Sequence, residues 1–387
     1  MNGETFIVQA CRTPIGSFGG GLSEFSAPQL GAKVIAGLFD QIDLGVNEIE
    51  EVIMGNVLTA GIGQAPARQA ALLSGLPNKV ECLTINKMCG SGLKAIMLGD
   101  NIIKSNGAGL IIAGGMESMS NAPLLMSKSI NRIGHQRMID SMLHDGLWDA
   151  YNDMHMGNCA EMLAAERNYT REQQDKYSVR SYQRAQEAQE KGYFDNEIIS
   201  LTNSKEISII NDEEPGRAKF EKIPMIKPVF EKNGTITAAN ASKLNDGAAA
   251  VMLMSKDNIE KYNIKPIARI LSHCSFAHDP KWFTTAPGEA IKKVLAQAGL
   301  SIEDIGLWEI NEAFATVTMA AIDDFNLEDD RVNIHGGAVA LGHPIGASGA
   351  RILTTLIYAL ERTKKNIGLA TLCIGGGEAS AMIIEKL

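Results

Sequence analysis

A chain of 387 residues holds two or three domains at roughly 150 residues each, and 45% hydrophobic with 21% charged residues is an ordinary globular balance. Its net charge of -9 offers no pervasive basic field for phosphates, which excludes a general nucleic-acid binder. Six cysteines without a C-x-x-C pair exclude a disulfide scaffold and a zinc ribbon, His273, Cys274 and His278 are too loosely spaced for a metal site, and no apolar run reaches the roughly 18 residues that cross a membrane.

The N-terminus enters an apolar stretch at Phe6-Ile7-Val8 with neither a secretory h-region nor an arginine-rich transit pattern. A cytoplasmic protein is expected, and a processed organellar form would read the same. Apolar stretches at 6–10, 51–57, 80–85 and 110–113 read as strands, and 27–39 and 66–74 read as helices. Their alternation predicts a largely parallel α/β sheet.

Asn86-Lys87-Met88-Cys89-Gly90-Ser91-Gly92-Leu93-Lys94-Ala95 follows one of these strands and opens a helix carrying Leu93, Ile96 and Ile103 on one face. A cysteine at that junction meets free amides and the positive end of a helix dipole, both of which favour a thiolate. Gly90 and Gly92 permit close backbone approach, so Cys89 is the candidate nucleophile.

From 118 to 243 Met-rich and polar segments punctuated by glycine and proline replace the buried strands, and this stretch reads as an insertion. Thr170-Arg171-Glu172-Gln173 is a capping-box pattern for a helix running to about Lys191, with Gly192 as the stop. Residues 244–262 rejoin the first domain, which gives 1–117 plus 244–262, an inserted 118–243, and 263–387. The last part repeats the first. Ile49-Glu50-Glu51-Val52 matches Ile302-Glu303-Asp304-Ile305, Ser91-Gly92-Leu93-Lys94 matches Ser348-Gly349-Ala350-Arg351, and the stretch ending at Glu117 matches the stretch ending at Glu378. Three ordered matches point to a duplicated α/β unit with loops of both halves around a shared site.

The second half supplies Asn311 in Trp308–Phe314, His343 among the glycines of Gly336–Gly346, and Cys373 before Gly375-Gly376-Gly377. A histidine held between glycines and a proline has a fixed, accessible ring suited to proton transfer.

Taken together, Asn-Lys-Met-Cys-Gly-Ser-Gly-Leu-Lys-Ala, Asn-Glu-Ala-Phe-Ala, Gly-Gly-Ala-Val-Ala-Leu-Gly-His-Pro-Ile-Gly-Ala-Ser-Gly and Cys-Ile-Gly-Gly-Gly resemble the thiolase family, on its acetoacetyl-CoA thiolase branch. The likeness also covers Gly114–Ser120 and Asn240–Ala249. It implies an α/β fold of duplicated thiolase-type halves in a five-layer αβαβα core, with an inserted loop domain. It implies a reversible Claisen condensation of two acetyl-CoA to acetoacetyl-CoA and CoA, with no required cofactor. Cys89 would carry the acetyl group, His343 would take its proton, and Cys373 would remove a methyl proton from the second acetyl-CoA. The amides of Cys89 and Gly375 would form one oxyanion hole, and His343 with a water held by Asn311 the other.

The same resemblance implies coenzyme A contacts at Arg217, Lys219 and Lys222, with Leu147, His155, Met156, Tyr182, Ser242, Phe283 and Phe314 along the pantetheine and acyl group. A potassium ion is implied at Tyr182, Ala238, Ala239, Ala241 and Val339. The chain departs from the expected pattern at Thr284, at Gly288-Glu289 and at Glu378-Ala379. The family forms dimers and this branch tetramers, so a homotetramer, a dimer of dimers, is implied, with its contact at 128–137.

The nearest alternative is a degradative 3-ketoacyl-CoA thiolase of broader chain length, sharing every catalytic residue. A carrier-protein-dependent condensing synthase would replace Cys373 by histidine or asparagine, and a non-catalytic lipid-binding relative would have lost one of Cys89, His343 or Cys373. A dinucleotide-binding oxidoreductase lacks its glycine fingerprint here.

Overall fold

The computed structural model describes residues 3–128 and 135–387. The main sheet runs in the order Leu307–Ile310, Ile367–Ile374, Glu378–Lys386, Ala268–Ala277, Thr5–Arg12, Asn245–Ser255, Leu110–Ser118, Glu51–Gly55 and Glu81–Ile85. It is mixed, not largely parallel as the alternation predicts. Parallel pairing is confined to Glu51–Gly55 with its two neighbours and to Leu307–Ile310 with Ile367–Ile374; the other pairings are antiparallel. The reason is local in one half, where the turn Gly375–Gly377 sends the chain straight back, and a return over a few residues can only pair antiparallel. In the other half the returning strand is Asn245–Ser255, which arrives from the insertion.

The duplication is visible in the sheet. The halves meet edge to edge at Phe6↔Arg269 and Ile7↔Ala268. Outward from that seam each side reads antiparallel, antiparallel, parallel. Three hydrophobic clusters give the layers. The central one joins inward residues of both halves (Ile53, Ile111 and Val251; Leu372, Met382 and Ile384) to Leu93 and Ile96 of one helix and Ile352 and Leu356 of another. Helices Ala27–Gly37 and Pro66–Leu73 cover the outer face of the first half, and Ala286–Ala298 and Ala315–Phe325 that of the second. The result is helix, sheet, helix, sheet, helix.

The two central helices, Ser91–Lys104 and Ser348–Thr363, both begin at the matched Ser-Gly pair. They cross where each glycine stands against the other's backbone. A Cβ on Gly92 would lie 2.8 Å from the nitrogen of Ala350, and one on Gly349 2.4 Å from the nitrogen of Leu93. The crossing is reciprocal, as a pseudo-twofold relation requires, and it admits no side chain at either position.

The insertion carries the long helix Arg171–Glu190 with the expected Thr170/Gln173 capping box, and Gly192 stops it in the left-handed region at φ 66°. Fully buried Arg12 ties the insertion down, with Nε 2.6 Å from Glu197 and its other nitrogens 2.7 and 3.0 Å from Asp212. The buried cation has a carboxylate on either side, and removing the guanidinium from between them would cost about 3–5 kcal/mol. No described helix is long and apolar enough to cross a membrane. Most of the 128–137 segment named above lies outside the described residues.

Candidate active site

Cys89 sits in a tight turn between strand Glu81–Ile85 and helix Ser91–Lys104. Met88 adopts φ 47°, unusual for a side chain of its size, and the strain is held by hydrogen bonds on both sides. The Ser91 hydroxyl donates to Met88 O at 2.7 Å and accepts from the Lys87 amide at 2.8 Å. Lys87 pairs with Glu378, so this turn is fastened to the residue that follows the glycine triplet of the other half.

The backbone amides of Gly375 and of Cys89 itself reach the Cys89 sulfur. Burial outweighs them and pushes the thiol up to about 11, so the helix terminus does not by itself produce a thiolate as the sequence leads one to expect. Near neutral pH the sulfur carries its proton, and attack requires a base at hand.

That base is in place. His343 lines the same cleft as Cys89 and is almost fully buried. Its amide donates to Asn245 Oδ1 at 2.9 Å, and Gly342 before it, at φ 111°, leaves no room for a Cβ against that asparagine. Nδ1 stands 2.6 Å from the Ser348 hydroxyl, which donates to Pro344 O at 2.9 Å. A hydroxyl has one hydrogen. Donating to Pro344, it accepts from Nδ1–H and leaves the Nε2 lone pair free; turned to Nδ1, it leaves Nε2 as a donor. Nε2 is buried with no partner within the described chain. Burial holds the ring down at about 3, so in the free protein it is neutral with its lone pair available, and it takes a proton only as negative charge develops beside it.

Cys373 is the last residue but one of strand Ile367–Ile374, fully buried among the cleft-lining residues Met156, Phe283, Ala313 and Phe314. Burial, then the proximity of Cys89, pushes its thiol well up. Asn311 follows strand Leu307–Ile310, and both atoms of its amide are buried without a partner in the described chain. Gly375 lines the cleft; a Cβ there would make only ordinary contacts, with Met156 Sδ at 3.6 Å and Met88 at 3.9 Å, so the chain tolerates a methyl that the cleft would feel.

The cleft has a volume of about 360 Å³. It brings together Leu147, His155, Met156, Ser242, Phe283 and Phe314 with Cys89, His343 and Gly375, and Ala238 and Ala241 join them. His155 stacks on Phe230 at 4.6 Å and accepts from the Gly157 amide at 3.0 Å through Nδ1, which caps helix Met156–Arg167. Arg217, Lys219 and Lys222 stand exposed and outside the cleft, and Arg217 is 3.9 Å from Glu214. Tyr182, Ala239 and Val339 also lie outside it.

Three features carry no sequence expectation. Glu117 is fully buried and takes hydrogen bonds from Asn56 (2.7 Å), the amides of Leu58 and Val57 (both 3.1 Å), and the Gly346 amide (2.9 Å), which stitches the two halves beneath the cleft. Burial raises its carboxyl to about 7. Ser348 lies five residues after His343, the one signal that could have marked it. Lys243 lines the cleft, yet its ammonium turns away to Ala241 O at 3.0 Å and Val339 O at 3.3 Å, with the Tyr182 ring centre at 5.5 Å. Burial lowers it to about 8. These are carbonyls at which the resemblance implies potassium, so the expected ligands already have a cation among them.

Comparison with known proteins agrees over the whole chain. The family model for the thiolase N-terminal domain matches residues 5–257 and that for the thiolase C-terminal domain residues 264–386. The mitochondrial acetyl-CoA acetyltransferase of Bos taurus is 49% identical over 99% of this chain and 92% of its own. The acetyl-CoA acetyltransferase of Schizosaccharomyces pombe is 43% identical over the full length of both. Among solved structures, the Acat5 thiolase of Ascaris suum in complex with coenzyme A superposes with a TM-score of 0.96 at 44% identity, covering 99% of this chain and 100% of that one. The chain belongs to the thiolase family.

Proposed function

We propose that the chain is an acetyl-CoA C-acetyltransferase, joining two acetyl-CoA into acetoacetyl-CoA and CoA through an acetyl group on Cys89, and running equally in reverse. The observation that carries the reading is the meeting in one cleft of Cys89, a neutral His343 with a free Nε2, and the Gly375 amide, with Cys373 buried among its lining residues. The relatives' names support the acetyl substrate.

In the first half-reaction Nε2 of His343 takes the Cys89 proton as the sulfur attacks the thioester carbon. The amides of Cys89 and Gly375 meet the developing oxyanion. The carbon–sulfur bond to CoA then breaks, and His343 returns the proton to the departing sulfur, which leaves as CoA thiol. In the second half-reaction Nε2 of His343 takes the Cys373 proton, and the thiolate so formed removes a proton from the methyl of the next acetyl-CoA. The carbanion attacks the acetyl carbon, the carbon–sulfur bond to Cys89 breaks, and His343 gives its proton to the released sulfur, which leaves Cys89 and Cys373 as thiols and the ring neutral. The raised thiol of Cys373 suits this step, because a thiolate that forms with difficulty is the stronger base. Asn311, with His343 in its Nε2-protonated form, would face the enolate oxygen.

Coenzyme A would enter along Leu147, His155, Met156, Ser242, Phe283 and Phe314, with Arg217, Lys219 and Lys222 near its nucleotide end. The halves 1–117 plus 244–262 and 263–387, with 118–243 as the CoA-binding insertion, are the working units, supported by strand Asn245–Ser255 lying between Thr5–Arg12 and Leu110–Ser118. A homo-oligomer, as a dimer of dimers, is supported by exposed Leu124, Met126 and Met138 on a small hairpin and by Leu83 on the edge strand. Compartment follows processing: a cytoplasmic form or a mitochondrial one, as several relatives are named. Thiolysis rates for acetoacetyl-CoA against a longer 3-ketoacyl-CoA test the reading. A preference for the longer chain would replace it with a degradative 3-ketoacyl-CoA thiolase.

A further inference from the structure

Lys243 directs a long charged side chain to a place where surface lysines do not go. Its ammonium ends between two main-chain carbonyls and an aromatic face, and Glu214 and Glu312 act on it only from beyond ion-pair distance. Among the described residues no carboxylate is within ion-pair distance, since Lys243 takes part in no ion pair of 4.0 Å or less. Carbonyl oxygens and a ring face are acceptors that suit any compact monovalent cation. An ammonium offers three hydrogens to them and is tethered, so it pays no entropy of capture from solution.

The partners are not arbitrary. Ala241 belongs to the segment that precedes Ser242 in the cleft wall, and Val339 belongs to the short helix Ala338–Leu341, which leads through Gly342 to His343. Tyr182 comes from the long helix of the insertion. One cation therefore joins three elements, one of which sets the position of the proposed base. The Val339 amide is also fixed from its other side, donating to Glu312 at 3.1 Å, and Glu312 in turn accepts from Tyr177 and Ser181 at 2.7 Å each. A potassium ion bound by the same carbonyls would have to share them with a like charge a few ångströms away, which is repulsive in a poorly solvated site.

We propose that the Lys243 ammonium is the built-in cation of this site, taking the place of an inorganic monovalent ion, so that the protein neither binds nor responds to potassium there. The inference concerns the architecture beside the cleft and does not depend on which acyl-CoA is the substrate.

Melting temperature is the readout, measured at constant ionic strength in potassium, sodium and tetramethylammonium chloride. For the unaltered chain the three values should coincide within about 1 °C. Lys243→Ser removes the tether and opens the carbonyls; it should melt lower in tetramethylammonium and recover by roughly 2–4 °C in potassium, as a ligand binding only the folded state requires. Lys243→Met fills the same space without charge; it should melt below the unaltered chain and show no recovery in any salt. A potassium-specific rise in the unaltered chain overturns the proposal. So does a folded Lys243→Ser chain indifferent to potassium, and so does a Lys243→Met chain as stable as the original. If Lys243→Ser does not fold, the other two measurements still decide.

Discussion

The Ser348 hydroxyl stands 2.6 Å from Nδ1 of His343 and 2.9 Å from the carbonyl of Pro344, so with its single hydrogen given to Pro344 its oxygen accepts from Nδ1–H. Everything the imidazole does at Nε2 depends on that arrangement. Ser348→Ala should lower kcat/KM roughly 10–100-fold, within the range that a well-oriented acid–base group supplies, and should shift the melting temperature little. Ser348→Thr, which keeps the oxygen, should recover much of the loss. An alanine variant with unaltered turnover would show that the ring needs no such support.

Cys89 and Cys373 are predicted to fail at different steps. Cys89→Ala should accumulate no acyl-enzyme, whereas Cys373→Ala should still take an acetyl group from acetyl-CoA and then stall. Intact-mass measurement after mixing each variant with acetyl-CoA distinguishes them. An acetylated Cys89→Ala chain would refute the nucleophile assignment.

Burial pushes the Cys89 thiol up to about 11, so little thiolate exists in the free protein near pH 8 (about three units below that value). Alkylation of Cys89 by iodoacetamide, followed by peptide mass, should accelerate about tenfold per pH unit across the mildly alkaline range, with no plateau there. A rate already level by about pH 8 would mean that the amides of Gly375 and Cys89 prevail over burial.

His343 is held at about 3 against an ordinary 6.5, and the sign follows. Once unfolded, the ring takes a proton that the folded ring refuses. Its contribution to stability is therefore complete above 6.5 and is lost as the pH falls toward 3. His343→Asn should flatten the fall in melting temperature across that window. Equal slopes in the two proteins would assign the acid lability to other groups.

Gly375→Ala should separate stability from activity. Its Cβ would meet nothing in the chain closer than Met156 Sδ at 3.6 Å, so unfolding should be nearly unaffected. The methyl would intrude beside the sulfur that receives the acyl group, and turnover should fall at least tenfold, by the rate law for about 1.4 kcal/mol of lost stabilisation. Full turnover in the variant would place the acyl group elsewhere.

Much of this was legible in the residues. The strand–turn–helix around Cys89, the capping box at Thr170 and the ordered repeat all rest on local patterns that tertiary packing had no reason to override. The sheet's mixed pairing was not legible, because strand order depends on where Asn245–Ser255 returns after an insertion of more than a hundred residues, and periodicity does not carry direction. The electrostatics were misjudged for the same reason. A cysteine before a helix is electropositive in isolation, but how deeply the second half buries Cys89 is a property of contacts distant in sequence. Lys243 stood in a quoted motif without a role, since nothing in a linear reading tells which way a long side chain turns.

The reciprocal crossing at Gly92 and Gly349 makes each half the mould for the other. A chain severed near Asn263 would leave one fragment with Cys89 and an uncovered apolar helix face, and the other with His343, Cys373 and the same defect mirrored. Neither piece holds a complete reaction centre, so any chemistry recovered from such fragments would have to come from their reassembly.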